Sequence, residues 1–343
     1  MRDERPVWTP PPSFIERLRA ALPRDWDLVD VAAPVSGRGD GSGASDEAIR
    51  AIAGAEIYFG LGLPRELLLA ALAGPRRLRW IHTGAAGVRS LLQPELVASD
   101  IVLTNSAGVH AEPIAESVIG MMLHFARGFD HAVRGQARAE WRADLYERGE
   151  SGVRELSGAT LGIVGYGGIG RAVARRARAL GMRVAALRRR SAGTARDGED
   201  DGVAEVIGGP HALPRLLEQS DVLVLTAPST RDTRGMIGAR ELARLPDGAV
   251  LINVARGDLI DEPALLDALR TGGLRGAGLD VFTTEPLPPE SPLWQLPNVL
   301  ITPHVSATSP HFWEREGELI LDNLDRYLDG RVLRNVVDPS AGY

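Results

Sequence analysis

The fold is decided by one stretch of the chain, Gly165-Tyr166-Gly167-Gly168-Ile169-Gly170. Residues 160–164 before it form a short apolar run that is typical of a buried strand. Residues 171–180 after it are rich in alanine and arginine, as in a helix, and are followed by Gly181. A G-x-G-x-x-G pattern between a strand and a helix is the fingerprint of a dinucleotide-binding turn. We therefore expect a nucleotide-binding α/β domain around this stretch.

The three glycines of the pattern have different expected tasks. Gly165 permits the tight turn after the strand, and Gly167 has no Cβ atom, so that a pyrophosphate can approach the backbone. Gly170 lets the helix and the strand pack closely, and free N–H groups at the start of the helix face the phosphates. A glycine-rich turn without a ligand has the same pattern, and the fingerprint alone does not separate the two interpretations.

The composition excludes several classes of function. The 343 residues are 44% hydrophobic and 24% charged, which is sufficient for two globular domains. A net charge of −6 argues against nucleic acid as a main partner. The absence of cysteine excludes thiol nucleophiles and disulfides, and the absence of lysine excludes Schiff-base lysines, pyridoxal phosphate enzymes and the P-loop lysine.

The sequence also carries predictions about the localisation of the protein and about metal binding. It has no apolar run long enough to span a bilayer, and its first residues lack the apolar stretch of a signal peptide. We expect a cytoplasmic protein with no membrane partner. The histidines show no paired spacing for a metal, so we expect no metal site.

Strand patterns alternate with helix patterns along the whole chain, which predicts an α/β fold with parallel sheets. The predicted helices are residues 13–22, 64–73, 112–129, 262–270 and 314–328. The predicted strands are residues 26–31, 55–59, 78–82, 101–104, 160–164, 183–187, 221–226, 249–254, 277–281 and 299–302.

The candidates for chemistry are polar residues that follow these strands, because open α/β sheets bind ligands beyond the carboxyl ends of their strands. Arg256, Glu285 and His304 each follow a predicted strand. An arginine can hold a carboxylate through two parallel N–H bonds, and a histidine held by a carboxylate can give or take a proton near neutral pH. Beside a bound hydride carrier, this set predicts a dehydrogenase for a 2-hydroxy or 2-oxo acid.

Each of the three residues also has a simpler interpretation. Arg256 could pair with Asp258 or Asp261 on the surface, Glu285 could be a loop carboxylate, and His304 could be a turn histidine after a proline. Their common position at strand ends in a nucleotide-binding lobe favours the functional interpretation.

These motifs together resemble the D-isomer-specific 2-hydroxyacid dehydrogenase family, from about residue 56 to the closing helix. Several motifs in the correct order make this resemblance more specific than any one of them. The segments that carry it are Gly84-Ala85-Ala86-Gly87-Val88, Asn105-Ser106-Ala107-Gly108-Val109 with Ala115-Glu116, residues 165–170, Asn253-Val254-Ala255-Arg256-Gly257, Gly278-Leu279-Asp280-Val281-Phe282 with Glu285-Pro286, and Thr302-Pro303-His304.

The resemblance implies an architecture of two Rossmann-like parallel-sheet domains, with the nucleotide domain inserted in a split substrate domain. The substrate domain would be residues 1–108 and 306–343, and the nucleotide domain residues 109–305. Such proteins are commonly dimers through the nucleotide domain, so we expect a homodimer.

The resemblance also implies the roles of individual residues. The catalytic set would be Arg256, Glu285 and His304. Arg256 and the backbone N–H groups of Ala85, Ala86 and Gly87 would hold the carboxylate of the substrate, and His304 would deliver the proton. Asp280 resembles the residue that contacts the nicotinamide end of the coenzyme. The later turns of the coenzyme site would contribute Thr226, Pro228, Thr233, Val254 and Ala255.

The expected coenzyme is NADP(H) in preference to NAD(H). About 20 residues after the fingerprint, an NAD site needs an acidic residue for the ribose hydroxyls. Here the chain has Arg188-Arg189-Arg190-Ser191, and arginine attracts a 2′-phosphate. A solvated basic strand end would have the same sequence.

The predicted function is hydride transfer between a nicotinamide coenzyme and a small D-specific 2-hydroxy or 2-oxo acid, with glyoxylate or hydroxypyruvate as plausible substrates. One alternative is an enzyme of the same framework for phosphite or formate, although a formate enzyme is expected to have glutamine where Glu285 stands. Another alternative is a non-catalytic binding protein that senses the coenzyme.

Overall fold

The computed structural model describes residues 6–31, 44–73, 77–88, 90–188, 203–208 and 212–339. The chain divides into two compact units. The split unit comprises Met1–His110 and Thr308–Tyr343, and the continuous unit comprises Ala111–Ala307.

The described strands form two parallel sheets, one in each unit. They are β1 (Ile57–Gly60), β2 (Trp80–Thr83), β3 (Val102–Asn105), β4 (Thr160–Val164), β5 (Arg183–Leu187), β6 (Glu205–Ile207), β7 (Val222–Leu225), β8 (Ala249–Asn253), β9 (Leu274–Leu279) and β10 (Val299–Ile301).

The described helices alternate with these strands, which confirms the predicted α/β class. They are α1 (Pro12–Ala21), α2 (Asp46–Ala53), α3 (Arg65–Ala73), α4 (Pro94–Val97), α5 (Ala111–Ala126), α6 (Phe129–Ala137), α7 (Ala143–Glu147), α8 (Gly168–Ala179), α9 (Ala212–Glu218), α10 (Ala239–Leu242), α11 (Glu262–Arg270) and α12 (Phe312–Leu328).

The sheet of the continuous unit has the strand order β10-β9-β8-β7-β4-β5-β6. Counted within the unit, this is the doubly wound order 3-2-1-4-5-6 with one further strand at the end. The order reverses between β4 and β7, which pair from Leu161 with Val222 to Val164 with Leu225. Ligands of such sheets bind at the carboxyl side of this switch point, so the turns that follow β4 and β7 are the first place to look for a site.

The continuous unit buries its sheet on both faces, as expected for parallel strands whose residues are almost all apolar. On one face, α5 and α8 pack through residues such as Met121, Phe125 and Val173. On the other face, the core includes Leu216 of α9 and Leu265 of α11. Burial on both faces makes the sheet a rigid base for the turns at its carboxyl end.

The split unit contains the three-stranded sheet β1-β2-β3. All four residues of β2 are buried, including His82. The predicted strand at residues 26–31 is wrong, because this segment pairs with no strand among the described residues. Two of its apolar side chains, those of Leu28 and Val31, nevertheless pack into the hydrophobic clusters of the split unit.

The predicted helix at residues 112–129 is divided in two. Helix α5 ends at Ala126, and Gly128 has a φ of +66°, a left-handed conformation that the regular helix does not allow. Helix α6 begins immediately afterwards at Phe129. Among the helices that the structure describes, none combines the length and the apolar character that crossing a bilayer requires.

Candidate active site

The glycine turn has the geometry that the fingerprint predicts. Gly165 has a φ of +103°, and a Cβ atom there would lie 2.6 Å from the backbone nitrogen of Ala227. A Cβ atom on Gly170 would overlap the carbonyl oxygen of Gly165. On Gly167, by contrast, a Cβ atom would have no described atom within 4 Å. Two of the glycines therefore permit close backbone packing, and the third leaves an open concavity.

Helix α8 starts at this concavity. Its N-terminal cap is Gly167, no side chain of the described residues caps it, and its first turn contains no acidic residue. The hydroxyl of Thr226, at the end of β7, donates to the carbonyl oxygen of Gly165 at 2.5 Å. The hydrogen bond from Thr226 thus stabilises the turn. The N–H groups at the start of α8 remain available to an anion, and a pyrophosphate fits this set of donors.

The basic segment after β5 is only partly described. Arg188 directly follows Leu187, the last residue of β5, and β5 pairs with β4. The other predicted contacts to the coenzyme ribose, Arg189, Arg190 and Ser191, lie outside the described residues.

Arg256 lies in the turn after β8. The buried side chain of Asn253 fixes this turn, since its amide donates to the Arg256 carbonyl oxygen at 2.9 Å and its oxygen accepts from the Ala255 N–H at 3.0 Å. The guanidinium is exposed and donates to the Ala255 carbonyl oxygen. Within the described part of the chain, neither Asp258 nor Asp261 binds it. The guanidinium is therefore available for a carboxylate ligand.

His304 and Glu285 form a direct pair. The His304 Nδ1 and the Glu285 Oε2 are 2.7 Å apart, and the other carboxylate oxygen accepts from the Phe282 N–H at 2.9 Å. Both carboxylate oxygens are therefore occupied, and the ring is held by its Nδ1–H. This leaves the His304 Nε2 as the atom that can exchange a proton with a ligand.

The charge of Glu285 is maintained by its surroundings. Burial raises the pKa of the Glu285 carboxyl, but the hydrogen bonds from His304 and from the Phe282 N–H, with the positive charge of Arg256, outweigh burial. The net effect is a pKa below the ordinary value of 4.5. Glu285 is consequently ionised throughout the neutral range and can hold the imidazole ring of His304 through its Nδ1.

Asp280 follows the last residue of β9 and is completely buried. Its carboxylate accepts hydrogen bonds from residues on both sides of His304 in the chain. The donors are the Thr302 hydroxyl at 2.6 Å, the Val305 N–H at 2.9 Å, the Ser306 N–H at 3.1 Å and the Ser306 hydroxyl at 2.5 Å.

The other predicted coenzyme residues mostly bind their own turns. The Thr233 hydroxyl donates to the Pro228 carbonyl oxygen at 2.7 Å and accepts from the Thr230 N–H at 2.8 Å. The side chains of Val254 and Ala255 are buried, so that these two residues can meet a ligand only through their backbone.

The loop of residues 84–87 belongs to the split unit. Two of its carbonyl oxygens accept hydrogen bonds within the unit. The Ala85 oxygen accepts from the Ser106 N–H at 3.3 Å, and the Ala86 oxygen accepts from the Asn105 side-chain amide at 2.8 Å. Within the described residues, the N–H groups of Ala86 and Gly87 have no acceptor. The loop therefore presents two adjacent donors, as a carboxylate requires.

Sequence reasoning missed three functional supports: Asn253, Gly257 and Ser306. Asn253 and Gly257 lie inside the motif that singled out Arg256, but the motif does not reveal which backbone groups they contact. A Cβ atom on Gly257 would overlap the peptide group between Phe282 and Thr283, so the turn of Arg256 touches the turn of Glu285. In the part of the chain that is described, no three His, Asp or Glu side chains form a group that could hold a metal.

Residues 119–306 match the family model described as D-isomer specific 2-hydroxyacid dehydrogenase, NAD binding domain. A glyoxylate reductase of Korarchaeum cryptofilum is 36% identical over 265 residues, which is 76% of this chain and 76% of that protein. A glycerate dehydrogenase of Methylorubrum extorquens is 33% identical over 264 residues, 76% of this chain and 79% of that protein.

Solved structures give the same result. A D-isomer specific 2-hydroxyacid dehydrogenase from Xanthobacter autotrophicus, in complex with NADPH and MES, has a TM-score of 0.75 and 30% identity, and the match covers 96% of this chain and 95% of that one. An NADPH-dependent glyoxylate/hydroxypyruvate reductase from Sinorhizobium meliloti, in complex with NADP and sulfate, has a TM-score of 0.73 and 27% identity over 97% of both chains. This chain therefore belongs to the D-isomer specific 2-hydroxyacid dehydrogenase family of nicotinamide-dependent oxidoreductases.

Proposed function

We propose that the protein is an NADPH-dependent reductase of a small 2-oxo acid of the size of glyoxylate or hydroxypyruvate. The observation that carries this proposal is the 2.7 Å pair of His304 and Glu285, linked through Gly257 to the turn of an available Arg256. The glyoxylate and hydroxypyruvate reductases among the relatives support the same class of substrate.

The residues of the continuous unit divide the reaction between them. Arg256 binds the carboxylate of the oxo acid through parallel N–H bonds. Protonated His304 donates its Nε2 proton to the substrate oxygen as the oxo group becomes a hydroxyl group, and ionised Glu285 holds the ring and stabilises the imidazolium. A bound nicotinamide coenzyme would supply the hydride.

The coenzyme is assigned to the continuous unit. The turn of residues 165–170 and the start of α8 are the proposed pyrophosphate site, with Thr226 as its support. In the split unit, the N–H groups of Ala86 and Gly87 are proposed carboxylate donors, whereas the Ala85 N–H donates to the Thr83 hydroxyl at 3.3 Å.

The preference for NADPH rests on the arginines after β5. Arg188 follows this strand at its carboxyl end, beside the fingerprint strand, where the adenosine ribose of a dinucleotide binds in this fold. Arg188→Gln is expected to lower kcat/KM for NADPH and to leave kcat/KM for NADH nearly unchanged. Arg183→Gln is the matched control, because Arg183 is an exposed arginine at the opposite end of the same strand. A wild-type enzyme that uses NADH better than NADPH would refute the preference.

The reaction is tested by the oxidation of NADPH on addition of a panel of 2-oxo acids. Glyoxylate and hydroxypyruvate are expected to give the highest kcat/KM, and larger branched oxo acids the lowest. His304→Ala is expected to lower kcat by about 10²–10⁴-fold, the usual contribution of general acid catalysis. NADPH binding without turnover of any oxo acid would instead identify a coenzyme-sensing binding protein.

We propose that the protein is a homodimer and that its contact includes exposed apolar side chains of the continuous unit. Phe129 and Val133 lie one turn apart on α6 and are 52% and 59% exposed, and Trp141 nearby in the chain is 94% exposed. A second copy of the chain would cover these side chains. Light scattering is expected to give the mass of a dimer for the wild type and of a monomer for Phe129→Asp/Val133→Asp, whereas Leu180→Asp, at another exposed apolar position of this unit, is expected to stay dimeric.

A further inference from the structure

The loop of residues 84–87 is bound along its length by one short segment of the split unit, residues 105–110. Three consecutive carbonyl groups of the loop accept a hydrogen bond from this segment: Gly84 from the His110 Nε2–H at 3.1 Å, Ala85 from the Ser106 N–H at 3.3 Å and Ala86 from the Asn105 side-chain amide at 2.8 Å. In a planar trans peptide group, the carbonyl bond and the N–H bond of the next residue point in opposite directions. A hydrogen bond that holds the carbonyl group on one side therefore turns the following N–H group to the other side.

The peptide group between Ala86 and Gly87 is oriented by Asn105. Its oxygen is the acceptor of the 2.8 Å bond from Asn105, and its N–H group has no acceptor among the residues that the structure describes. Gly87 is exposed, whereas Asn105 is buried. A buried side chain thus sets the direction of the N–H group of an exposed residue.

Both ends of the Asn105 side-chain amide are used. Its Oδ1 accepts from the Ala107 N–H at 3.1 Å, so that the NH₂ end faces the Ala86 carbonyl oxygen. The backbone of Asn105 is held by Asn335, whose carbonyl oxygen accepts from the Asn105 N–H and whose side-chain amide donates to the Asn105 carbonyl oxygen, both at 3.1 Å. A side chain without both a donor and an acceptor would therefore lose either the bond to Ala86 or the bond to Ala107.

We propose that Asn105 is a positioning residue for the substrate carboxylate, because it directs the Gly87 N–H that binds this carboxylate. The inference rests on the proposed function, in which the N–H groups of Ala86 and Gly87 are donors to the carboxylate of the oxo acid. The carboxylate keeps its charge throughout the reduction, so a donor to it stabilises the bound substrate and the transition state alike. Misdirection of this donor therefore raises KM and leaves kcat largely unchanged.

The test compares Asn105→Ala with the wild type in the reduction of glyoxylate by NADPH. We expect the KM for glyoxylate to rise by about 10- to 100-fold, the usual effect of losing a hydrogen bond to a charged group. The value of kcat is expected to change by less than about threefold, and the Kd for NADPH, measured by fluorescence titration, by less than about twofold.

Asn335→Gly is a second variant, which acts on Asn105 without replacing it. It removes the side-chain bonds from Asn335 to the Asn105 and Ala107 carbonyl oxygens, and glycine suits the φ of +56° at this position. The KM for glyoxylate is expected to rise here as well, by a smaller factor than in Asn105→Ala. This variant decides the question if Asn105→Ala does not fold.

Asn298→Ala is the matched control. The side-chain amide of Asn298 also donates to a backbone carbonyl oxygen, that of Leu269 at 3.2 Å, but Asn298 precedes β10, at the edge of its sheet opposite to the candidate site. This variant is expected to keep the KM for glyoxylate. The inference is overturned if Asn105→Ala has the KM of the wild type, if it weakens NADPH binding as much as glyoxylate binding, or if Asn298→Ala raises the KM equally. A wild-type enzyme that reduces no oxo acid would refute the proposed function and the inference with it, whereas an active wild type beside an unchanged Asn105→Ala would refute the inference alone.

Discussion

Gly257 and Phe282 are in direct backbone contact, since a Cβ atom on Gly257 would overlap the carbonyl group of Phe282. Gly257 directly follows Arg256, and the Phe282 N–H donates to the Glu285 carboxylate at 2.9 Å. The contact therefore sets the distance between the turn of the arginine and the turn that holds the acid–base pair.

Gly257→Ala is expected to separate these two turns. Because the added methyl group would meet backbone atoms, which cannot rotate away, we expect kcat/KM for the oxo acid to fall by about 10²-fold or more. The Kd for NADPH should change much less. Gly273→Ala is the control, as a Cβ atom there would be 3.5 Å from the Ala268 carbonyl oxygen, an ordinary contact. Equal activity of the two variants would contradict the argument.

Glu285→Gln is expected to change the pH dependence of turnover as well as its rate. The wild-type Glu285 carboxyl has a pKa below the ordinary 4.5. Burial raises this pKa, but it is lowered more by the hydrogen bonds from His304 and the Phe282 N–H and by the charge of Arg256. A depressed pKa means that the ionised form persists above that value and is lost only as the pH falls through it. The neutral amide cannot stabilise an imidazolium, so reduction should fall off at lower pH than in the wild type. Superimposable pH profiles of kcat would show that the charge of Glu285 is not used.

Gly167→Ala is expected to weaken coenzyme binding without lowering the stability of the fold. A Cβ atom at this position would have no described atom within 4 Å, and the φ of −97° suits any residue. The thermal unfolding midpoint should therefore stay near that of the wild type, whereas the Kd for NADPH should rise because the methyl group occupies the open concavity. Gly170→Ala should instead lower the unfolding midpoint, since its Cβ atom would overlap the Gly165 carbonyl oxygen. If Gly167→Ala binds NADPH normally, the proposed pyrophosphate position is wrong.

The sequence predicted the sheet and the glycine turn well because both depend on local patterns. Residues 160–164 and 183–187 are the strands β4 and β5 to the residue, since each is a short apolar run next to a glycine-rich or charged segment. The prediction failed at residues 26–31, because apolar alternation predicts an extended segment but not whether another strand lies beside it.

The site was predictable in its residue types but not in its hydrogen bonds. The position of Asp280 at the end of β9 could be read from the chain, whereas its bonds to residues 302–306 join parts of the sequence more than 20 residues apart. The left-handed conformation of His304, with a φ of +55°, gave no signal either, because residues other than glycine rarely adopt it and tertiary contacts are needed to maintain it. Local patterns thus specify which residues reach the edge of the sheet, and tertiary contacts specify which of them hold the others in place.

His124 and His131 are expected to make the continuous unit sensitive to acid. Burial lowers the pKa of both imidazoles below the ordinary 6.5, although the Asp130 carboxylate opposes the effect. Since the folded pKa lies below the unfolded one, their contribution to stability is complete above pH 6.5 and is lost as the pH falls through the folded pKa. His124→Gln/His131→Gln should therefore reduce the drop in the urea midpoint between about pH 7 and pH 5. His311→Gln, an exposed histidine of the split unit, should leave that drop unchanged.

Glu316 is expected to be among the most sensitive positions of the split unit. Its Oε1 lies 2.9 Å from the His82 Nε2 and accepts the Ser106 hydroxyl at 2.8 Å, and both His82 and Glu316 are fully buried. Removal of one partner leaves a buried hydrogen-bonding group of the other unsatisfied at a cost of about 1–3 kcal/mol, whereas apolar replacement of both is often close to neutral. Glu316→Leu should therefore lower the urea midpoint strongly, and His82→Phe/Glu316→Leu should recover much of the loss. Glu314→Leu, which removes an exposed acid on the same helix, should have little effect on the urea midpoint.

The KM for the oxo acid should rise in Glu316→Leu more than the KM for NADPH. A Cβ atom on Gly84 would be 3.5 Å from the Glu316 Oε1, and the loop of residues 84–87 begins at Gly84. A double variant that is less stable than Glu316→Leu would show that His82 contributes through other contacts than this pair.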